Sequence, residues 1–292
     1  MDLRTLGLGL AFAVIWSSAF TSARIIVADA SPLASLALRF LLSGLIGIAF
    51  ARWMGQSWKL TQSQWRATIV FGICQNAIYL GLNFVAMQTV EASLASIIAS
   101  SMPLLVALAG WVALQERLPM LGVAGLMLGF AGVILIMAGR LEAGVDPYGV
   151  VLCVIASVAL ALATLSVRGA SSGGNLLMVV GLQMLVGSAI LAIFAALTEQ
   201  IRLNPTPELF AAFAYTTLFP GLVATWIWFA LVQRIGATKA ATFHFLTPFF
   251  GVLIASLILG EALGLTDMIG VVIITIGILA VQLSKQAKPA EA

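Results

Sequence analysis

Charged residues are scarce in this sequence. Asp, Glu, Lys and Arg together make up 9% of its 292 residues, whereas about 25% is usual in a soluble domain. Hydrophobic residues account for 62%, and the mean hydropathy is +1.12. Because such a chain has too few polar residues for an aqueous surface, we expect a membrane protein built from apolar spans of about 20 residues each.

Motifs for catalysis and nucleotide use are also missing. The sequence has no Walker A motif for ATP, no HExxH or GxSxG motif for hydrolysis, and no basic tract for nucleic acid. Its two cysteines, Cys74 and Cys153, lack the spacing of a metal site or a disulfide framework. We therefore expect a protein that is not an enzyme and that uses no cofactor, no metal, no ATP and no nucleic-acid partner.

A repeat organises what is present. Residues 92–132 recur as residues 237–277 at a constant offset of 145, without a gap, and each copy places a proline thirteen positions before a glutamate. Apolar composition alone does not readily produce such a match, so we interpret the chain as an internal duplication. The conserved frame consists of Pro103 and Glu116 in the first copy, and Pro248 and Glu261 in the second.

Apolar runs bounded by charges, prolines and Gly/Ser/Asn clusters predict ten helices. Their predicted limits are residues 6–27, 33–52, 65–87, 92–114, 120–139, 148–168, 176–197, 209–232, 237–259 and 265–284. Five helices fall in each half, and an odd number makes the second copy enter the membrane from the opposite side. The predicted fold is thus an all-α membrane protein with ten transmembrane helices, arranged as two inverted five-helix repeats around a central cavity. Such repeats can alternate between inward-open and outward-open states.

The predicted domain boundaries and orientation follow from the same helices. The first repeat spans residues 1–140, the second spans 147–285, and residues 286–292 form a short cytoplasmic tail. With the N terminus inside, ten Lys and Arg residues fall on the inner side, and only Arg24, Arg140 and Arg202 fall on the outer side. The positive-inside rule therefore predicts that both termini are cytoplasmic.

Short stretches in the first two helices add a family resemblance to the duplicated frame. With Trp16-Ser17-Ser18, Leu38-Arg39-Phe40 and the paired Pro and Glu residues, the sequence resembles the EamA branch of the drug/metabolite transporter superfamily. Within that branch it looks most like bacterial exporters of aromatic and other neutral amino acids. The resemblance implies a bacterial inner-membrane protein whose first, third, fourth, sixth, eighth and ninth helices line a central cavity.

Polar residues on the third and fourth helices are the first candidates for substrate binding. Asn76, Tyr79 and Asn83 share one face of the third helix. A buried polar stripe in lipid predicts hydrogen bonds, made either to a substrate in the cavity or to a neighbouring helix. Ser96 and Ser100 on the fourth helix follow the same period, and for them close helix packing is the favoured interpretation.

Aromatic residues, one histidine and two prolines complete the candidate cavity. Trp16 and Trp228 offer aromatic surface for a bulky neutral substrate. His244 is the only histidine; it is predicted either to bind a carboxylate or couple protons, or to be a neutral residue satisfied by a carbonyl. Pro103 and Pro248 each remove a backbone hydrogen bond in a span, which favours a hinge for alternating access.

Three charged residues are candidates for gating or structural roles. Arg39 is the only charged residue well inside a predicted span. It either meets a substrate carboxylate, or it snorkels or caps a helix end at the cavity rim, and the structural interpretation is favoured. Glu116 and Glu261 close the fourth and ninth helices on opposite sides of the membrane. We expect each glutamate to pair with an arginine or to cap the following helix rather than to carry protons.

The sequence thus predicts a secondary transporter that lies in the lipid bilayer and exports small neutral metabolites, most favourably amino acids including aromatic ones. Efflux of cationic or lipophilic drugs is the alternative within transport, although the membrane-embedded carboxylate that such substrates call for is missing. A channel and a non-transporting scaffold are the alternatives of another class. Saturable flux separates a transporter from a channel, and any flux separates it from a scaffold.

Overall fold

The structure, a computed structural model, describes residues 3–112, 115, 118–166, 174–235 and 241–286. These residues are helical and form no strand, although one isolated antiparallel bridge joins Ala30 and Leu203. The helices are α1 (Leu3–Asp29), α2 (Pro32–Trp53), α3 (Gln62–Ala86), α4 (Ala92–Val112), α5 (Met120–Glu142), α6 (Pro147–Ser166), α7 (Leu176–Thr198), α8 (Pro207–Leu218, Phe219–Val223 and Ala224–Ile235), α9 (Ala241–Leu246 and Thr247–Leu259) and α10 (Leu265–Gln286).

Nine helices in the described ranges have the length and hydropathy to cross a membrane, namely all but α9. The described part of α9 contributes a shorter apolar helix, Phe243–Leu259. Its predicted beginning at residue 237 lies outside the described residues. The chain is therefore a multi-pass helical membrane protein, and the ten-span inverted arrangement stays a prediction.

Local sequence explains where several helices begin. The Thr61 hydroxyl accepts a hydrogen bond from the Gln64 amide at 3.3 Å, while the Gln64 side chain accepts one from the Thr61 amide at 2.9 Å. This reciprocal pair is a capping box, and it satisfies two donors at the start of α3. At the start of α8 the Thr206 hydroxyl accepts from Leu209, and Pro207 occupies the first turn, where its missing N–H costs nothing.

Two compact units make up the chain, and each unit contains segments from both halves of the sequence. The α5/α10 unit consists of Met1–Thr21, Thr89–Val150 and Val223–Ala292. The α2/α7 unit consists of Ser22–Gln88 and Val151–Leu222. Each unit therefore pairs helices of the first predicted repeat with helices of the second.

Glycines pack α5 directly against α10 inside the first of these units. A Cβ added at Gly125 would lie 2.8 Å from the carbonyl oxygen of Gly277, and one at Gly132 would lie 3.0 Å from that of Gly270. The first distance is shorter than real Cβ contacts and the second is tighter than most of them, so glycine at both positions allows this close crossing. Since the offset of 145 converts Gly125 into Gly270 and Gly132 into Gly277, the two contacts are equivalent under the repeat.

The crossing of α2 and α7 shows the same correspondence. A Cβ added at Gly44 would lie 3.0 Å from the carbonyl oxygen of Gly181, and the Ser188 hydroxyl donates to the carbonyl oxygen of Ala37 at 2.8 Å. An offset of 144 relates these two contacts. Small residues thus allow close backbone approach at both points, as is common between membrane helices.

The starts of α2 and α7 are capped by side chains from the loops that follow the opposite helix. Glu199, just after α7, accepts hydrogen bonds from the amides of Leu33 and Ala34 at 2.8 and 3.0 Å. Gln56, just after α2, accepts one from the amide of Met178 at 3.1 Å. These exchanged caps satisfy first-turn donors that have no partner within their own helix.

Four helices are irregular, and the irregularities also fall at equivalent positions. Residues Gly72–Tyr79 in α3 and Phe219–Val223 in α8 are π-helical, and the second segment lies within the range that an offset of 145 assigns to the first. In α4 the α-helical hydrogen bonding is interrupted at residues 100 and 101, whereas α9 changes from a 3₁₀-helix to an α-helix at Thr247. A proline follows each of these last two interruptions, as the helix-breaking effect of proline requires.

Candidate functional site

Three predicted site residues come together with a fourth residue in the α5/α10 unit. The aromatic cluster consists of Phe12 and Trp16 on α1, Trp228 on α8 and His244 on α9. The imidazole of His244 lies edge-on to the other three rings, at centroid distances of 5.1 Å from Phe12, 6.0 Å from Trp16 and 5.2 Å from Trp228. Phe12 also contacts both indoles, at 5.7 and 5.1 Å.

Apolar residues of α8 and α9 support this cluster. Phe12 is buried together with four of them, namely Ala224, Ile227, Leu231 and Phe243. Gly9 is required beside them, because a Cβ added there would lie 2.0 Å from the Phe243 ring. Held in this way, the cluster offers ring faces with few polar groups, namely the two indole N–H groups and the imidazole, an arrangement that suits an aromatic or apolar part of a ligand.

The sequence prediction included Trp16, Trp228 and His244 but missed Phe12. The signal was present, since Phe12 precedes Trp16 by four residues and so lies on the same face of α1. Next to this face, the Ser17 hydroxyl donates to the carbonyl oxygen of Thr247 at 3.2 Å. That bond ties α1 to the point where α9 changes its helical type.

The serines of α4 lie in a tight contact with α9. A Cβ added at Gly251 would lie 1.8 Å from the Ser96 hydroxyl oxygen, so a glycine is needed there. The Ser100 hydroxyl donates to the Ser96 carbonyl of its own helix at 2.7 Å. The hydroxyl oxygens of Ser96 and Thr247 are buried and have no hydrogen-bond partner among the described residues. Close packing is therefore present, and two hydroxyls are left for other partners.

Both candidate hinge prolines are buried in the first turn of a regular helical segment. Pro103 is the second residue of Met102–Val112, and Pro248 is the second residue of Thr247–Leu259. Neither has an N–H to continue the hydrogen bonding of the preceding turn. Pro103 follows a break between two α-helical segments, whereas Pro248 follows the change from a 3₁₀-helix to an α-helix. A hinge at these junctions stays a prediction.

The polar face of α3 is buried in the α2/α7 unit. The Asn76 side-chain amide donates to the carbonyl oxygen of Gln183 on α7 at 2.9 Å, so it joins two helices. The Asn83 amide donates to the carbonyl oxygen of Tyr79 at 2.8 Å. The Asn83 oxygen is buried and has no hydrogen-bond partner in the described part of the chain, which leaves one acceptor for a ligand.

Arg39 lies on α2 in the same unit and is only 6% exposed. Its guanidinium lies over the Phe40 ring, with Cζ 5.1 Å from the centroid. The Arg39 Nε has no hydrogen-bond partner among the residues that the structure describes. The side chain is thus an interior cation and does not extend from a helix end into solvent.

Glu261 caps α4 and not the helix that follows it. Its two carboxylate oxygens accept hydrogen bonds from the amides of Ala92 and Ser93, at 2.8 and 2.9 Å. The carboxylate also lies at the N-terminal end of the helix, where negative charge is favourable. Glu116, the equivalent glutamate of the first copy, lies outside the described residues.

An ionic cluster near the same end of α4 was not foreseen from the sequence. The Arg140 guanidinium, at the end of α5, forms ion pairs with Glu91 and with Asp267 of α10; the second has an N–O distance of 2.9 Å. Asp267 also accepts a hydrogen bond from the Gly264 amide at 2.9 Å. Since its side chain is only 4% exposed, loss of Arg140 would leave the Asp267 carboxylate buried without its cation.

Comparisons with known proteins indicate that this chain is similar to transporters. The profile of the EamA-like transporter family matches this chain twice, over residues 3–138 and 147–283. An uncharacterized transporter of Bacillus subtilis, YvbV, is 28% identical over 97% of this chain and 93% of its own. The uncharacterized inner membrane transporter YedA of Escherichia coli is 25% identical over 95% of this chain and 90% of its own.

A crystal structure of another protein supports the fold alone. It has a TM-score of 0.69, covers 99% of this chain and 100% of its own, and is 20% identical in sequence. Together with the apolar helices, the double family match points to a membrane transporter rather than to an enzyme, and to small-molecule substrates. The chain belongs to the EamA-like transporter family.

Proposed function

We propose that this protein is a secondary transporter that exports small neutral metabolites, and that its substrates are amino acids, including aromatic ones. The observation that carries the substrate class is the aromatic cluster of Phe12, Trp16, Trp228 and His244. A phenyl or indole group can stack against such ring faces, and each aromatic pair contributes about 0.5–1.5 kcal/mol beyond area burial.

The mechanism we propose is alternating access between two inverted five-helix repeats. Its support is the placement of the irregular segments at repeat-equivalent positions: the π-helical segments of α3 and α8, and the junctions before Pro103 and Pro248. Segments with strained or missing backbone hydrogen bonds can change geometry at low cost. The cytoplasmic location of both termini and the outward direction of transport are parts of this proposal.

Uptake into liposomes tests the proposal. Purified protein is reconstituted, and uptake of labelled phenylalanine, tryptophan and alanine is measured with and without a proton gradient. We expect saturable uptake in which the three amino acids compete. For Trp228→Ala we expect KM for phenylalanine to rise roughly 3- to 10-fold from the lost aromatic contacts. KM for alanine should change less, because alanine has no ring.

Trp111→Ala is the matched control, because Trp111 is exposed and lies on α4 in the same unit. It should leave both KM values unchanged. No uptake above that of empty liposomes contradicts the amino-acid proposal. Flux that rises linearly with concentration contradicts a transporter mechanism and favours a channel.

Efflux of lipophilic cations is the competing function, since ring faces also attract organic cations. Labelled tetraphenylphosphonium in the same liposomes separates the two. Saturable uptake of this cation that depends on Trp228, without amino-acid uptake, would replace our proposal with drug efflux.

A further inference from the structure

Two contacts in the α2/α7 unit occupy equivalent positions in the repeat but differ in chemistry. In one, Asn76 of α3 faces Gln183 of α7. In the other, Gly221 of α8 faces Arg39 of α2, and a Cβ added at Gly221 would lie 3.8 Å from the Arg39 Nη2. The offsets of 145 and 144 relate Asn76 to Gly221 and Arg39 to Gln183.

The contact between α3 and α7 is closed. The Asn76 amide donates to the Gln183 carbonyl oxygen at 2.9 Å, and Asn76 packs against Gly187, where an added Cβ would lie 2.4 Å from the Asn76 Cβ. The polar side chain therefore has a protein partner, and its Cβ packs directly against Gly187. The contact between α3 and α7 thus has a structural role, which is to join two helices.

The contact between α8 and α2 involves the equivalent positions of the repeat but has no side chain in the place of Asn76. Ser43, the equivalent of Gly187, lies beside Gly221 and donates to the Thr217 carbonyl oxygen at 3.4 Å. Glycine at position 221 offers no side chain to the guanidinium of Arg39. Where the first copy has an amide, the second has only the backbone of the π-helical segment Phe219–Val223.

The guanidinium has no anion in the described part of the chain. All ion pairs found there involve Arg140, so no carboxylate lies within 4.0 Å of Arg39. Arg39 is 6% exposed and lies about 10 Å along α2 from its first residue, inside the apolar span. Its Nε has no hydrogen-bond partner in the ranges that the structure describes. A buried charge without a partner is strongly unfavourable, so an anion from outside the chain would stabilise this arrangement.

We propose that Arg39 binds the carboxylate of the transported solute, beside Gly221. A guanidinium presents two parallel N–H donors that match a carboxylate, and that of Arg39 also makes a cation–π contact with the Phe40 ring. The glycine at position 221 leaves the guanidinium edge free of a competing side chain. This proposal rests on the proposed function; it concerns the acidic group of the solute and the α2/α7 unit alone.

A matched ligand series tests the assignment on the full-length protein. The series consists of three compounds that share a phenyl ring. Phenylalanine carries both an amine and a carboxylate, 2-phenylethylamine carries the amine alone, and 3-phenylpropionate carries the carboxylate alone. Binding is measured by competition with labelled phenylalanine and by ligand-induced shifts of the unfolding temperature. In the wild type we expect phenylalanine to bind on the order of 10- to 100-fold more tightly than 2-phenylethylamine, as for a hydrogen-bonded charge pair.

Three variants complete the experiment. In Arg39→Gln, phenylalanine should no longer bind more tightly than 2-phenylethylamine, while the affinity for 2-phenylethylamine stays as in the wild type. Arg39→Lys should retain part of the advantage, because the charge remains and the two-point geometry is lost. Arg66→Gln is the control, since Arg66 is exposed on α3; it should behave as the wild type.

The outcomes separate this proposal from the proposed function. If Arg39→Gln lowers the affinity for all three ligands equally, Arg39 is a structural residue and the proposal is wrong. Equal binding of phenylalanine and 2-phenylethylamine by the wild type also overturns it, and this result needs no variant that folds. If phenylalanine is not transported, the proposed function fails, while a stabilising shift by 3-phenylpropionate in the wild type but not in Arg39→Gln still supports the site. Absence of that shift overturns it.

Discussion

Replacing Glu261 tests whether this glutamate stabilises the fold or gates transport. Its carboxylate accepts hydrogen bonds from the amides of Ala92 and Ser93, two buried donors that the first turn of α4 cannot satisfy itself. Loss of a capping side chain costs about 0.5–2 kcal/mol, and a hydrogen bond to a charged group contributes about 1.5–3 kcal/mol. Because Glu261 is partly exposed, we expect about 2 kcal/mol for Glu261→Ala.

Glu261→Gln should cost about half as much, since an amide oxygen can still accept one hydrogen bond but carries no charge for the helix terminus. The assay is the apparent unfolding temperature of the purified protein in detergent, where about 2 kcal/mol corresponds to a shift of roughly 4 °C. Glu142→Ala is the control, because Glu142 is exposed at the end of α5. Transport per folded molecule should stay at the wild-type level. Unchanged stability of Glu261→Ala together with lost transport would refute the structural role and indicate a gate.

Two further predictions concern the α5/α10 unit. Gly277→Ala should destabilise the protein by about 1–3 kcal/mol, since the new Cβ would lie 2.5 Å from the backbone nitrogen of Gly129. Gly139→Ala, whose Cβ would lie 3.5 Å from its nearest neighbour, should unfold at or above the wild-type temperature, and equal stability of the two variants would contradict this packing. Arg140→Met should lower the free energy of unfolding by about 3 kcal/mol, because it leaves Asp267 buried without its cation. Adding Asp267→Asn should restore part of this loss, and a double variant less stable than Arg140→Met would count against the ion pair.

Helix positions could be predicted because each apolar run is bounded by residues that break or cap a helix. The sixth helix was expected over residues 148–168 and is observed at Pro147–Ser166, and the seventh was expected over 176–197 and is observed at Leu176–Thr198. Winding within a helix could not be predicted in the same way. A π-helical segment such as Gly72–Tyr79 depends on which carbonyl each amide selects, and the apolar pattern is nearly the same for both choices.

Partners that are distant in sequence were the main gap in the site prediction. Glu261 was expected to pair with an arginine or to cap the helix after it, but the amides that it caps lie 168 and 169 residues earlier in the chain. Asn76 and Asn83 share a helical face, as their spacing predicts. Only Asn76 bonds to another helix among the described contacts, whereas Asn83 bonds within α3. Periodicity identifies a buried face, but it does not identify the atoms that meet it.

Differences between the two copies are more informative about chemistry than their similarities. Contacts that obey the repeat, such as those of Gly125 with Gly277 and of Gly132 with Gly270, can be explained by packing alone. An asymmetric solute presents different chemical groups at its two ends, so we expect some of its binding residues to break the repeat. Arg39 breaks it, since its equivalent is Gln183, and so does His244, whose equivalent is Ala99. On this argument the guanidinium and the aromatic cluster, rather than the duplicated prolines and glutamates, are the positions where substitutions should change which solute is transported.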